Sequence, residues 1–146
     1  CTQTVGTKAT LGVDVHGGGE QVVVIEDNDD ARETLTTLLQ MWGFRVETAA
    51  DGSEGVSKVL QFRPRLAIVD IGLPRLDGYE VARQVHAAMD AMAPFLIAVT
   101  GYGQPEDRQR ALEAGFHHHL SKPVDVGALA RLLASARTET KRERLE

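Results

Sequence analysis

The stretch QVVVIED, residues 21–27, sets the fold of this chain. Its unbroken apolar run is short enough for a strand that is buried on both faces, and two acids, Glu26 and Asp27, stand at its carboxyl end. Three later runs repeat this design: LAIVD (66–70) ends in Asp70, FLIAVT (95–100) ends in Thr100, and HHHLSK (117–122) ends in Lys122. Polar residues at the carboxyl ends of parallel strands meet at one edge of a sheet, so the four runs predict a site there.

Amphipathic segments alternate with these strands. In DARETLTTLLQMWG (30–43), Leu35, Leu39 and Trp42 recur at helical spacing before Gly43 ends the helix. The segment FRVETAA (44–50) is predicted as a strand, and four further helices are predicted in GSEGVSKVLQF (52–62), YEVARQVHAAM (79–89), PEDRQRALEAG (105–115) and DVGALARLLASAR (125–137). Five strands that alternate with five helices predict the α/β class: a doubly wound, five-stranded parallel sheet with helices on both faces.

The size and charge of the chain restrict its function. A length of 146 residues suits one ordinary domain, and the net charge of -5 argues against direct nucleic-acid binding, which needs a basic face. No apolar run approaches the roughly 18 to 20 residues that cross a bilayer, so no membrane contact and a cytoplasmic location are expected. We expect residues 1–19 to be a flexible linker that ends in Gly17–Gly19, residues 20–137 to form the domain, and residues 138–146 to be a charged tail.

The predicted acidic cluster has a chemical consequence. Two carboxylates about 4 Å apart repel by roughly 4 kcal/mol at an effective dielectric near 20, so Glu26, Asp27 and Asp70 favour a proton or a cation beside them. Oxygen ligands without neighbouring Cys or His favour Mg²⁺, with Mn²⁺ as a substitute, over zinc. With the metal bound, Asp70 can attack phosphorus as a nucleophile, while Lys122 and Thr100 contact phosphoryl oxygens.

These residues resemble those of the receiver domains of two-component response regulators. The motifs that carry the resemblance are DIGLPRLDGYE (70–80), VVVIEDN (22–28) and SKP (121–123), and Thr100 follows Asp70 by 30 residues while Lys122 follows Thr100 by 22. The resemblance covers about residues 20–137 and is strongest toward the C-terminal receiver of a hybrid sensor histidine kinase. It implies a flavodoxin-like fold with strand order 2-1-3-4-5.

The resemblance also implies a role for each site residue. Asp70 would accept a phosphoryl group from a histidine kinase or a histidine phosphotransfer domain, and Thr100 and Lys122 would contact it. The implied magnesium ligands are Glu26, Asp27, Asp70 and the backbone carbonyl of Gly72. Pro123 would follow Lys122 through a cis peptide. Phosphorylation would then alter the face formed by the last two helices and the last strand, through which a homodimer is also expected.

Three histidines and two rim positions call for separate comment. His119 stands where receiver domains usually carry the Tyr or Phe that turns inward as Thr100 moves, so His119 is the predicted switch residue. His117 and His119 should share one face of a strand that His118 does not, and we therefore expect no metal site formed by all three. Gly72 and Tyr102 lie at the rim where water approaches the phosphorus, and we expect them to set the lifetime of the phosphorylated state.

Alternative functions remain open at this point. The receiver is either part of a hybrid kinase, in the cytoplasmic portion of a membrane-bound sensor, or a stand-alone response regulator. A Mg²⁺-dependent phosphohydrolase with an aspartyl nucleophile is disfavoured, because Gly72 stands where such an enzyme needs a general acid. An unphosphorylated docking module is the third alternative. The domain is not expected to be a conventional enzyme, since its expected chemistry is its own phosphorylation and dephosphorylation.

Overall fold

Strands and helices alternate along the chain as the sequence predicts. A computed structural model describes residues 17–73, 75–101 and 105–134. The elements are β1 (Gln21–Ile25), α1 (Asp29–Met41), β2 (Arg45–Ala49), α2 (Gly52–Phe62), β3 (Leu66–Asp70), α3 (Gly78–Met89), a 3-10 turn (Asp90–Met92), β4 (Phe95–Thr100), α4 (Pro105–Ala114) and β5 (His118–Ser121). A last helix, α5, covers residues 126–134.

The five strands form one parallel sheet in the order β2-β1-β3-β4-β5. This confirms the predicted fold class and strand order. The chain winds outward from β1 in both directions, toward β2 on one side and β3 on the other. Helices from the two halves therefore diverge at β1 and β3, and a crevice opens outside the carboxyl ends of those strands.

Alternating side chains of the central strands supply two hydrophobic cores. Val22 and Val24 of β1 pack on one side of the sheet with residues of α1 and α5. Val23 and Ile25 pack on the other side with residues of α2, α3 and α4. All residues of β3 and β4 are buried, as expected for strands that are covered by helices on both faces.

Local signals fix where most helices begin and end. Side-chain oxygens cap the first turns of four helices, by Asn28, Asp51, Asp77 and Asp125. The predicted end at Gly43 is confirmed by its positive φ of 92°, which costs glycine little. Helix α3 begins at Gly78, one residue earlier than predicted, because the Asp77 cap precedes it.

Strand β5 is shorter than predicted, since it begins at His118 and ends before Lys122. Its start is delayed because the His117 side chain, rather than a strand carbonyl, accepts the Leu96 amide at 3.0 Å. Lys122 follows the strand directly, and its own amide still donates to the Thr100 carbonyl at 2.7 Å. The ammonium group is thus carried just beyond the sheet edge.

The glycine segment before β1 contacts the loop after α1. The Gly17 amide donates to the Trp42 carbonyl at 2.6 Å, and the Gly19 amide donates to the Gly43 carbonyl at 2.9 Å. A Cβ on Gly17 would lie 2.5 Å from the Phe44 amide nitrogen, so close approach accounts for glycine there. The rest of the predicted linker and the predicted tail, 138–146, lie outside the described residues. No helix within the described ranges is long and apolar enough to span a bilayer.

Candidate functional site

Three polar residues at the ends of the central strands are buried beside one another. Glu26 directly follows β1, Asp70 ends β3 and Thr100 ends β4, and their exposed fractions are 2%, 5% and 3%. Asp27, next along the chain, is exposed. Carboxylate oxygens of Glu26, Asp27 and Asp70 lie within 4.8 Å of one another. The sheet thus brings three acids, distant in sequence, to one point at its carboxyl edge.

Lys122 is the cation that lies against these acids. Its Nζ donates to Asp70 Oδ2 at 3.0 Å and lies 3.2 Å from Glu26 Oε1. The following Lys122–Pro123 peptide is cis. The ammonium group therefore bridges two carboxylates that arrive on different strands.

Burial and charge alter the proton affinities of this group. Burial raises the pKa of Glu26, and the neighbouring Asp70 raises it further, against the lowering effects of the Asn28 amide and Lys122. Burial alone would lower the pKa of Lys122, but the hydrogen bond to Asp70 and the charges of Asp70 and Glu26 outweigh burial and raise it. Lys122 therefore stays charged, while the ionised form of Glu26 is disfavoured.

The second oxygen of Asp70 is held by the loop after β3. The Gly72 amide donates to Asp70 Oδ1 at 3.0 Å. Gly78, at the start of α3, lies so close that an added Cβ would stand 2.7 Å from the Asp70 carbonyl oxygen and 2.8 Å from Ile71 Cα. The absence of a side chain at Gly78 therefore lets α3 begin directly beneath Asp70.

His119 of β5 contacts the hydroxyl of Thr100. Thr100 Oγ1 and His119 Nε2 are 2.8 Å apart and share a hydrogen bond. The other two histidines contact different groups, since His117 accepts the Leu96 amide and the His118 ring lies 5.3 Å from that of Phe95. His117 directly precedes β5, so the predicted alternation along the strand applies only to His118 and His119. The His119 side chain is tied to the end of the neighbouring strand.

A cleft of about 700 Å³ opens above Asp70. It is lined by the predicted residues Glu26, Asp27, Asp70, Gly72, Thr100 and Lys122, and also by Asn28, Asp29, Ile71, Tyr79, Gly101 and Arg110. Sequence reasoning missed Tyr79 and Arg110, because they arrive on the helices α3 and α4 rather than at strand ends. Tyr102, a predicted rim residue, lies outside the described residues.

The ligand atoms in the cleft suit a hard divalent cation. Within the described part of the chain, Glu26, Asp27 and Asp70 are the one group of three or more potential metal ligands that meets a common point. All three offer carboxylate oxygen, which Mg²⁺ prefers, and one of them is open to water that Mg²⁺ normally retains. The donor set therefore fits magnesium.

Sequence comparison assigns the family. The profile described as "Response regulator receiver domain" matches residues 22–134, and the chain belongs to this family. An uncharacterized 14.6 kDa protein from the sodA1 3' region of Leptolyngbya boryana is 35% identical over 112 residues, 77% of this chain and 86% of that protein. Response regulator MprA of Mycobacterium ulcerans is 36% identical over 126 residues, 86% of this chain and 52% of MprA. The chain thus spans about half the length of MprA.

Two similar crystal structures bear on the site. The receiver domain of the sensor histidine kinase PA1611 of Pseudomonas aeruginosa was solved with magnesium in its active-site cleft; it is 31% identical, with a TM-score of 0.72 and coverage of 79% of this chain and 94% of that one. The receiver domain of the response regulator Ssk1 of Saccharomyces cerevisiae was solved with the histidine phosphotransfer protein Ypd1; that match is 25% identical, with a TM-score of 0.74 and coverage of 78% and 86%. Receiver domains thus bind magnesium and engage phosphotransfer proteins.

Proposed function

We propose that Asp70 accepts a phosphoryl group from a phosphohistidine on a histidine kinase or a histidine phosphotransfer protein. The observation that carries this proposal is the placement of Asp70 in an open cleft, with Lys122 on one carboxylate oxygen and two further acids within 4.8 Å. In the transfer, an Asp70 oxygen bonds to phosphorus as the bond from phosphorus to the imidazole nitrogen breaks. That nitrogen keeps the electron pair.

We propose Mg²⁺ as the cofactor, with Mn²⁺ as a substitute. Glu26, Asp27, Asp70 and the Gly72 carbonyl are the proposed ligands. Bound magnesium would supply positive charge that offsets the oxygens of the transferring group. The chain itself favours such binding because it gathers three carboxylates around a single ammonium group, Lys122.

Lys122 and Thr100 are the proposed contacts of the phosphoryl group. Phosphorylation adds about -1.5 to -2 charges to the side chain of Asp70. Lys122 already donates to this side chain and needs to move little to bind a phosphoryl oxygen. Gly72 is exposed and leaves the rim open, so we propose that its small size speeds hydrolysis, and that Tyr102 also affects the lifetime of the phosphorylated state.

Thr100 and His119 are the proposed link to the output surface. The Thr100 hydroxyl has one proton, and its oxygen lies 2.8 Å from His119 Nε2. In the tautomer in which Nε2 accepts this proton, donation by Thr100 to the phosphoryl group breaks the hydrogen bond with His119. His119 lies on β5, so the change reaches the face of α4, β5 and α5. A switch from 1:99 to 99:1 needs about 5.5 kcal/mol of difference between the two states.

The same face is the proposed homodimer surface. Leu112 of α4 is 54% exposed and offers apolar surface on one of the helices of this face. A second copy that covers it would couple dimer formation to the rearrangement at His119. Dimerisation would then depend on phosphorylation.

A groove beside the cleft suits the protein that donates the phosphoryl group. It holds about 530 Å³, and its apolar lining comes from Ala31, Leu35, Leu38, Val99, Pro123, Val124 and Val126. Glu26, Asn28 and Lys122 line both the groove and the cleft. Because the two are continuous, a helix seated between α1 and α5 would hold its phosphohistidine above Asp70. We propose that this helix belongs to a histidine kinase or a histidine phosphotransfer protein.

The whole protein is the subject of a further proposal. Similarity to the PA1611 receiver favours the predicted attachment to a hybrid sensor histidine kinase, in its cytoplasmic portion. Similarity to MprA favours the alternative, a separate response regulator. In either setting, we propose residues 20–137 as the receiver, residues 1–19 as a linker and residues 138–146 as a tail.

Intact-protein mass spectrometry after incubation with acetyl phosphate tests the proposed function. We expect the wild-type chain to gain one phosphoryl group in the presence of Mg²⁺ and none with excess EDTA. Asp70→Asn should gain none under either condition. The control is Asp77→Asn. Asp77 caps α3 and does not line the cleft, and asparagine can form the same cap, so this variant should be phosphorylated as wild type. A folded wild-type protein that gains no phosphoryl group would contradict the proposal.

A further inference from the structure

One charged residue of the cleft has no part in the chemistry proposed so far. Arg110 of α4 lines the same cleft as Asp70. Its guanidinium carbon lies 4.2 Å from the ring centroid of Tyr79, and only 3% of Tyr79 is exposed. The face of an aromatic ring attracts a cation, so a ring fixed by burial holds the guanidinium at the wall of the cleft.

The charges of the cleft leave Arg110 available to an anion. Carboxylates of four residues line the cleft, Glu26, Asp27, Asp29 and Asp70, against the two cations Lys122 and Arg110. Lys122 lies 3.0 Å from Asp70 Oδ2 and 3.2 Å from Glu26 Oε1. Among the described residues, no carboxylate forms an ion pair with Arg110. For an anionic ligand that enters this acidic cleft, Arg110 is therefore the lining cation that is not already paired with a described carboxylate.

We infer that Arg110 binds the phosphoryl oxygens of small anionic phosphodonors as they enter the cleft, an inference that rests on the proposed function. A guanidinium presents N–H donors in a planar fork that matches phosphoryl oxygens, whereas an ammonium group acts as a point charge. Arg110 is exposed, so it can engage a donor that is still hydrated. Lys122 and Asp70 then act on the phosphoryl group at the base of the cleft.

Because of its position, Arg110 should affect small phosphodonors more than protein phosphodonors. Helix α4 packs on the side of the sheet opposite α1 and α5, and the docking groove proposed above lies between α1 and α5. A protein donor gains its affinity in that groove. A small acyl phosphate has no such surface, so its capture depends on charges in the cleft itself.

The rate of phosphorylation by acetyl phosphate, with Mg²⁺ and at low salt, tests the inference. Arg110→Ala should lower the apparent second-order rate constant by about three- to tenfold, since one charge should contribute less than the tenfold or more of a cleft lined by many charges. Arg110→Lys should recover part of the loss, because it keeps the charge without the fork. The loss should shrink as salt is added, since exposed charges are screened.

A second arginine provides the matched control. Arg108 lies on the same helix and is also exposed, but it does not line the cleft. Arg108→Ala changes the net charge by the same amount and should keep the wild-type rate. Equal losses in the two alanine variants, or no loss in Arg110→Ala, would overturn the inference while the wild-type reaction upheld the proposed function. A wild-type protein without any phosphorylation would overturn the proposed function instead.

Variants of the ring test how Arg110 is held. Tyr79→Phe keeps an aromatic face and should lose less rate than Tyr79→Leu, which should lose rate in the direction of Arg110→Ala. Because Tyr79 is buried, a thermal melt should accompany each rate to show that the variant is folded. An unchanged rate in folded Tyr79→Leu would overturn the role given to the ring.

Discussion

The central strands and the edge strand β5 differ in how tightly they are packed. Each residue of β3 and β4 is buried, whereas β5 has three half-buried residues and one exposed residue. The proposed acceptor and its contact, Asp70 and Thr100, end central strands. The proposed switch residue, His119, lies on β5. The hydrogen bond between Thr100 and His119 is one of the contacts that join the tightly packed half of the site, β3 and β4, to the loosely packed half, β5.

This difference separates the chemistry from the output. Close-packed interiors resist displacement, so the central strands fix the positions of the reacting groups. Segments with fewer buried contacts rearrange at lower cost, which suits a surface that has to change. Substitutions under the central strands should therefore disturb stability or chemistry, while substitutions on β5 should leave the chemistry nearly intact.

Among substitutions in the tightly packed half, Gly78→Ala should cause the largest loss of stability. The added Cβ would stand 2.7 Å from the Asp70 carbonyl oxygen and 2.8 Å from Ile71 Cα, and both are backbone atoms that cannot turn aside. Overpacking of this kind costs about 1–3 kcal/mol, so the free energy of unfolding should fall by that amount. Denaturant titration measures the change.

Gly72→Ala is the matched control for this substitution. A Cβ on Gly72 would meet only Asp70 Oδ1, at 3.7 Å, which is ordinary contact. Its free energy of unfolding should stay within about 0.5 kcal/mol of wild type. Equal stability of the two alanine variants would show that the region beneath Asp70 is not tightly packed, and the comparison between the two halves would fail.

Thr100→Val and His119→Phe break the same hydrogen bond from opposite sides. Thr100 should also donate to the phosphoryl group, and a hydrogen bond to a charged group is worth about 1.5–3 kcal/mol. Thr100→Val should therefore lower the rate of phosphorylation by acetyl phosphate about tenfold or more. His119→Phe should change this rate by less than about threefold, because His119 does not contact the phosphoryl group in the proposed mechanism.

The ratio of these two rates sharpens the comparison. A tenfold loss in His119→Phe would mean that β5 takes part in the chemistry. A normal rate in Thr100→Val would mean that the hydroxyl serves the hydrogen bond with His119 alone. Circular dichroism and a thermal melt confirm that both variants are folded before their rates are compared.

Strand ends were readable from the sequence because buried parallel strands have a distinctive pattern. Short apolar runs that end in Asp70 and Thr100 do not resemble amphipathic helices, and parallel strands place their carboxyl ends together. The strand order came from the resemblance to receiver domains, since periodicity alone does not specify which strands are neighbours. Element types were thus predictable from local patterns, and their arrangement was not.

Contacts made by helix side chains could not be predicted from the sequence. Arg110 reaches the cleft because α4 packs beside α3, and its placement over Tyr79 depends on the relative position of two helices. The bond between Thr100 and His119 likewise depends on strand register and rotamers. The start of β5 depends on His117, whose imidazole replaces a backbone acceptor. When a side chain takes the place of a backbone hydrogen-bond acceptor, the hydrophobic pattern of the sequence does not show it.

Glu26→Gln should give the smallest change in the free energy of unfolding, and this change should be opposite in sign to that of Gly78→Ala. Burial and the charge of Asp70 raise the pKa of Glu26 in the folded protein. Between the unfolded and the folded pKa, the folded state binds more protons, so the stability of the protein falls as the pH rises through this window and stays reduced above it. The ionised Glu26 therefore costs stability at neutral pH unless a cation binds.

Glutamine removes this cost because it carries no charge to bury. In EDTA at neutral pH, Glu26→Gln should gain free energy of unfolding, by less than the about 1–3 kcal/mol that Gly78→Ala loses, and the gain should vanish as the pH falls below the window. Asp27→Asn is the control, because it removes the same charge from a residue that is exposed rather than buried. Excess Mg²⁺ should reverse the order, since wild type gains about 2.7 kcal/mol at a hundred times the Kd and the variant gains less. A wild-type protein more stable than Glu26→Gln in EDTA would show that the ion pair with Lys122 outweighs the cost of burying the Glu26 charge, and would contradict the prediction.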